Sequence, residues 1–573
     1  MNKTSEASAS PGPSQSPSWR EASAWAGFFS LCTFALCVPV ILNPSSHLAD
    51  IPLGDKGTNL WNLWWVYYAV FERHVSPLWC DIVFYPQGVD LRFHTLSLAN
   101  GLLAAPLTAI AGPNIAYNAL FLLWTILTGA FASLWARGRG LGVFAAAFVG
   151  VIAAFSPYRF SHLIHLNLFS TACIFCAFWL CDRMVHSPNK ISVLLFTLSW
   201  IWTALTDWYY AIFVGLYWLL HLFFSIKKQN RQILASCAVL PALCMGLLVY
   251  LYFFLGAANR PEIQPDDVPI QIAAFWSLDL LHLLCPAWAL DWLPINLASD
   301  SEFRLHPGLL VMLFGAWGVF SITTLKSKRF LLTCAIIFFL ISLGPVFKFG
   351  NAPIVIFGVP LYSPTLLYGF LPMVDSMRVF TRFAFIGFAI LSLFAAIKIE
   401  RMTQTFSSKP LRYSLWVITI VILILESGWR FPTIQRYSPP QFVKQNLSGA
   451  VQEFPYAPSR LSGLHLYHQT FHHQPIAIVE FSRLGGYRNN YIRKYKLFDT
   501  LSATTQENPL PALIRASDGD LPLPIEVMVV YTKADSTKST QLSIEWPDET
   551  QQIMTRIRSN ENQAAESVFH QIP

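Results

Sequence analysis

The sequence predicts a polytopic α-helical membrane protein of about 11–13 transmembrane helices, followed by a C-terminal extracytoplasmic domain of α/β or α+β type. Three observations predict it. Hydrophobic residues make up 54% of the chain and charged residues 12%, about half the charged share of a soluble domain. Apolar stretches long enough for ~30 Å of hydrocarbon recur up to residue 430. The chain holds 20 Trp and 20 Tyr, rings with a polar atom that suit a membrane–water boundary. The net charge of +7 is spread thinly, without the basic stripe that nucleic acid requires.

Residues 1–21 are Ser- and Pro-rich at their start and are read as a disordered cytoplasmic N-terminus. The first apolar stretch, 22–42, runs into Asn43-Pro44 rather than a small-residue cleavage site, so it is read as an uncleaved span. Further spans are expected at 115–136, 140–156, 162–181, 190–206, 208–226, 233–255, 304–325, 330–344, 379–398 and 413–429. The stretch 96–112 is ambiguous. Basic clusters at Arg137/Arg139, Arg183/Lys190, Lys227/Lys228/Arg231, Lys326/Lys328/Arg329 and Lys398/Arg401/Lys409/Arg412 all fall on the cytoplasmic side if 96–112 is re-entrant or interfacial. If it crosses, a second crossing at 59–74 or 352–370 must restore the parity. The transmembrane domain is then 22–430, with outer loops at 43–114, 257–303 and 345–378, and an outer domain at 431–573. The N-terminus lies inside and the C-terminal domain outside. Within that domain, Ile525–Tyr531 (IEVMVVY) reads as a strand.

Most of the ten cysteines sit in apolar spans, where a thiol is a small hydrophobe. Cys80 and Cys285 fall in expected outer loops, where a disulfide is one option.

The first outer loop carries Gly54-Asp55-Lys56-Gly57-Thr58-Asn59 ahead of a Trp-rich helix expected to lie in the membrane interface. A carboxylate at that depth suits a general base on an acceptor hydroxyl; the same residues also suit a plain turn. Asp90, in Phe84–Leu91, is a second acid, read mainly as the cap of a helix starting near Leu91. Arg159, His162 and His165 form a compact donor cluster between two spans, suited to phosphate oxygens, or to a snorkelling Arg with hydrated His. Asp207 joins two spans at the same level, as a functional acid or as a partner of Arg159. Arg378 and Arg382 stand four residues apart ahead of a span; on a helix they would share one face and bridge a phosphate. In the tail, His465, His468, His472 and His473 are read as a loop facing the cavity. His468 and His472 have helical metal spacing but no acidic third ligand, and no metal site is assigned. There is no Walker loop, no GxGxxG after a strand and no GxSxG elbow.

Taken together, these pieces resemble the bacterial integral-membrane glycosyltransferases of the GT-C superfamily. The resemblance is carried by Asp55, the aromatic helix behind it, the Phe84–Asp90 turn, and the Ser156–Asn167, Leu371–Phe383 and Tyr467–Arg483 segments, and it covers most of the chain. It implies an inverting transfer of a hexosyl or pentosyl group at the extracytoplasmic face of the bacterial inner membrane. The donor would be a polyprenyl-phosphate-linked sugar, and the acceptor a glycan, lipid or protein. By carry-over, Asp55 is the catalytic carboxylate; the residues read above, Asn59, Asp90, Arg159, His162, His165, Asp207, Arg378 and Arg382, are the substrate-binding candidates. Many members have paired acids in this loop; this chain has a lone Asp followed by Lys56, which leaves Asp50 and Asp90 as alternatives. A flippase for a lipid-linked glycan and a non-catalytic envelope-assembly protein are the other readings.

Overall fold

A computed structural model of the chain describes residues 19–45, 47–49, 54–226, 231–254, 268–286, 301–322, 327–370, 377–426 and 459–479. It also describes single residues at 289, 481 and 488 and strand segments within 434–558. Asp50 lies outside the described residues.

The body is helical. Helix α1 (Trp19–Leu36) is followed by α2 (Val38–Leu42), and α3 (Asp55–Tyr67) opens the first loop. Helix α4 (Leu98–Gly138) takes in both the ambiguous stretch 96–112 and the expected span after it. Gly112 breaks it at φ 81° and ψ 169°, beside Pro113, whose ring blocks the preceding turn. The stretch 96–112 is therefore the first limb of a kinked helix.

Helix α5 (Val143–Ala154) leads into two short helices, α6 (Pro157–Ser161) and α7 (Leu166–Phe169), and then α8 (Ala172–His186). The expected span 162–181 is thus corrected: its first ten residues form an irregular shelf. Ser156 caps α6 by accepting from Arg159 N, and Pro157 fits its first position, so the chain turns there instead of continuing. Helices α9 (Lys190–Thr206), α10 (Trp208–Ser225) and α11 (Arg231–Val249) follow. Short helices α12 (Ile270–Phe275) and α13 (Leu280–Leu284) precede α14 (Leu309–Ser321), α15 (Lys328–Ser342), α16 (Phe383–Gln404) and α17 (Lys409–Glu426).

Among the described residues, five helices are long and apolar enough to cross a membrane. Shorter apolar helices lie at Lys190–Thr206, Ile270–Leu284 and Leu309–Ser321. The chain is a membrane protein. Its main core packs α1, α4, α5, α8, α9, α10, α15 and α16 through buried residues such as Phe29, Trp135, Phe178, Tyr217 and Phe383.

The tail does not stand apart from the first loop. Strand β1 (His47–Ala49) pairs antiparallel with Ile434–Arg436. Helix α18 (Ser459–His472) lies on α3: a Cβ at Gly463 would come within 1.8 Å of Gly54 O. Gln469 accepts from Trp61 Nε1 at 2.8 Å and donates to Ile82 O at 3.0 Å. Ile476 bridges Val83 in parallel.

Trp61, Trp64 and Trp65 are buried in this joint core with Phe84, Leu466, Ile478 and Phe481. The aromatic helix is therefore covered by the chain's own tail. His465, His468 and His472 are likewise buried on a helix and not set in a loop. Further on, four strands order as Met554–Arg558, Ser539–Glu545, Ile525–Tyr531 and Ala450–Phe454, the last pair parallel. Cys80 and Cys285 are both free thiols, Cys80 buried, and form no disulfide.

Candidate active site

Asp55 is the first residue of α3, where the helix dipole favours a carboxylate. Gly54 precedes it at φ 53° and ψ −132°, a backbone shape open to glycine. The side chain of Asn59, one turn on, donates to Asp55 O at 2.8 Å and steadies that turn. Lys56 points elsewhere: consecutive helix residues diverge by about 100°, and its buried ammonium sits 3.5 Å over the Tyr117 ring. The residue that breaks the paired-acid pattern is thus a tie between α3 and α4.

Asp55 Oδ2 meets His165 Nε2 at 2.8 Å across the shelf between α6 and α7, with 52% of the Asp55 side chain exposed. Burial alone would raise its carboxyl. The His165 hydrogen bond and charge outweigh burial, helped by the Arg378 guanidinium, and hold the group below its usual value. Asp55 is thus ionised at neutral pH. Arg378 is exposed, and its backbone N–H donates to Tyr209 Oη at 3.2 Å.

A chain of contacts runs on from there. The His165 and His162 rings lie 5.7 Å apart. His162 is fully buried, with Nε2 3.1 Å from Glu302 Oε2 and Nδ1 2.7 Å from Tyr158 O. Glu302 accepts from Arg382 Nε at 3.1 Å and also from its terminal nitrogen. Burial would raise the Glu302 carboxyl, but Arg382 and His162 hold it well below the usual range. The Arg382 guanidinium lies 4.8 Å from the Tyr209 ring, and the Tyr209 hydroxyl accepts from the Arg378 backbone N–H. The start of α3, the α6–α7 shelf, the start of α10, Glu302 and the lead into α16 therefore meet at one place.

Several expectations are revised by this geometry. Residues 377–382 are not helical, and α16 begins at Phe383, so Arg378 and Arg382 do not share a helix face. One is exposed and the other is ion-paired. Arg159 is fully buried; its donors go to Phe169 O, Ala154 O and Thr125 Oγ1, and its guanidinium stacks 3.9 Å over the Phe169 ring. Asp207 does not pair with Arg159. It caps α10 by accepting from Tyr209 N at 2.8 Å, and Asn167 Nδ2 donates to it at 2.6 Å.

Asp90 caps no helix at Leu91. It is fully buried in a two-residue strand and binds Arg92, whose Nε donates to it at 2.7 Å. His94 is buried against Phe481, with Nε2 2.9 Å from Asn62 Oδ1. Burial pushes its imidazolium down to about 3, so it is neutral at working pH.

Glu302 and Tyr209 were not singled out from the sequence. Glu302 stands two residues before an expected span, in an Asp300-Ser301-Glu302 stretch, and an acid at that depth calls for a partner.

No family model matches the chain, and no curated protein does. Solved structures do match in shape. The arabinofuranosyltransferase AftD from Mycobacteria superposes over 92% of this chain with a TM-score of 0.58 at 12% identity. The chain spans 36% of the AftD length, about a third of it. The Archaeoglobus fulgidus oligosaccharyltransferase superposes over 96% of this chain and 76% of its own, with a TM-score of 0.50 at 11% identity. The chain therefore shares its fold with these two structures.

Proposed function

We propose that the chain transfers a sugar from a polyprenyl phosphate to an acceptor hydroxyl at the extracytoplasmic face of the membrane, with inversion. The fold, shared with two glycosyltransferases, supports glycosyl transfer as the reaction class. The single observation that carries the reading is the half-exposed Asp55 carboxylate held by His165 beside the exposed Arg378.

In this reading the acceptor oxygen attacks the anomeric carbon while its proton passes to Asp55, with His165 fixing the carboxylate's orientation. The bond from the anomeric carbon to the phosphate oxygen breaks with its electron pair moving onto the phosphate. Arg378 faces that growing charge. Arg382 acts through Glu302 and Tyr209, as a positioning residue and not as a phosphate ligand. Arg159 and Asp207 hold the shelf that carries His165.

The test is purified protein in lipid given a radiolabelled polyprenyl-phosphate sugar and a crude envelope acceptor. Label moving to the acceptor supports the reading. Label that only changes leaflet identifies a flippase, and an unchanged donor identifies a scaffold.

A further inference from the structure

The segment between α15 and α16 carries an exposed apolar surface that the reaction does not use. Residues 346–362 fold into short antiparallel pairs. Lys348–Phe349 pairs with Ala352–Pro353, Val355–Ile356 pairs with Val359–Pro360, and Val346 bridges Tyr362. Its outer end is apolar and open: Val355 is 55% exposed, Val359 59% and Phe357 fully so. No Asp, Glu, Lys or Arg occurs between Lys348 and Asp375. Lys348 itself is turned inward, buried and donating to Phe275 O at 3.0 Å. The base is fixed to the body, because Asp279 accepts from Gly350 N and Asn351 N.

The tip residue is telling. Phe357 has φ 52° and Gly358 φ 82°, the paired positive values of a turn that favours Asn-Gly or Gly-Gly. A bulky Phe is unfavourable there, so turn chemistry does not account for it. A soluble surface does not account for it either, since apolar patches of this kind mark contact surfaces.

The geometry points to the acyl-chain boundary of the lipid leaflet as the occupant: the Val355–Val359 tip dips into the bilayer on the side where Arg378 and Asp55 lie. Three features favour lipid over a protein partner. The hairpin follows α15, whose Ile336 and Leu340 stay exposed, so its surface continues an apolar face that the described residues do not cover. It offers no charge for a partner to read. Its two-residue strand pairs leave backbone groups that hydrocarbon cannot satisfy, which fits a shallow insertion of about 5–10 Å at the headgroup boundary.

The test uses the full chain in phosphatidylethanolamine–phosphatidylglycerol vesicles, with an environment-sensitive fluorescent amino acid placed genetically at Phe357 and, separately, at the exposed Ser407 in the turn after α16. Lipids bearing a nitroxide on acyl carbon 5 should quench the Phe357 probe several-fold more than iodide present on both sides, with the order reversed at Ser407. Stronger quenching by iodide at Phe357 would put the tip in water. Quenching by neither would mean that protein covers it. Either result overturns the proposal. Should the Phe357 substitution fail to fold, the probe at Val359 gives the same reading.

Discussion

His165 Nε2 stands 2.8 Å from Asp55 Oδ2, although 110 residues separate the two in the chain. This contact joins the first loop to the α6–α7 shelf and leaves half of the carboxylate open to a substrate. Asp55→Asn keeps the shape and removes the base. Transfer should fall by a factor on the order of 10²–10⁴, with the protein still in the membrane and its thermal midpoint little changed. Rate measurement on purified variant and parent decides this, and full activity would remove Asp55 from the mechanism.

The pH dependence follows from the same contact. The Asp55 carboxyl is depressed below its ordinary value of 3.8, so its ionised form persists below that value. The stability it contributes is full above 3.8 and is lost as pH falls from there through the depressed value. The acid limb of transfer due to Asp55 should therefore lie below the usual carboxylate range. His165→Asn removes the hydrogen bond and charge that oppose burial, and the limb should move upward. A pH–rate series on the two proteins shows the shift or its absence. An unmoved limb would mean that Asp55 does not set it.

The helices were legible because apolar length and cap chemistry are local. Asn189 with Ser192 forms a capping box for α9, and the two residues stand only three positions apart in the sequence. Asp55 was legible as a candidate for a similar reason, since Gly54-Asp55 opens a helix at a loop edge. The contacts around it were not. Glu302 reaches Arg382 across 80 residues, and Gln469 reaches Trp61 across 408, distances at which sequence periodicity carries no information. The helix-face reading of Arg378 and Arg382 failed because the helix starts one residue after Arg382; spacing implies a shared face only inside a helix.

The two arginines should separate in experiment. Arg378 is exposed beside Asp55, so Arg378→Ala should lower the rate by about 10²–10³-fold, the scale of one lost anion-stabilising donor, with little change in melting. Arg382→Ala leaves the buried Glu302 without its main cation and should cost about 3–5 kcal/mol of stability, read as a lowered thermal midpoint in detergent. Glu302→Gln in the same background should recover part of that midpoint. Equal effects of the two single substitutions on rate and on melting would contradict this division.

Gly463 tests whether the tail helix sets the position of the acid. A methyl at this site would lie 1.8 Å from Gly54 O and 2.6 Å from its carbonyl carbon. Both are backbone atoms immediately before Asp55, which cannot rotate away as a side chain can. Gly463→Ala must therefore push α18 off α3 or shift the start of α3. Where the start of α3 gives way, Asp55 moves relative to His165, which is fixed on a different element. A displacement of this kind, about 1 Å, costs on the order of 10²-fold in rate when it misaligns reacting groups. Gly246→Ala is the control, because nothing lies within 4 Å of its added methyl. The expected result is a large loss of transfer for Gly463→Ala alone. Unchanged transfer and unchanged melting in that variant would show that α18 does not bear on the acid, and that Asp55 is positioned by α3 and His165 without the tail.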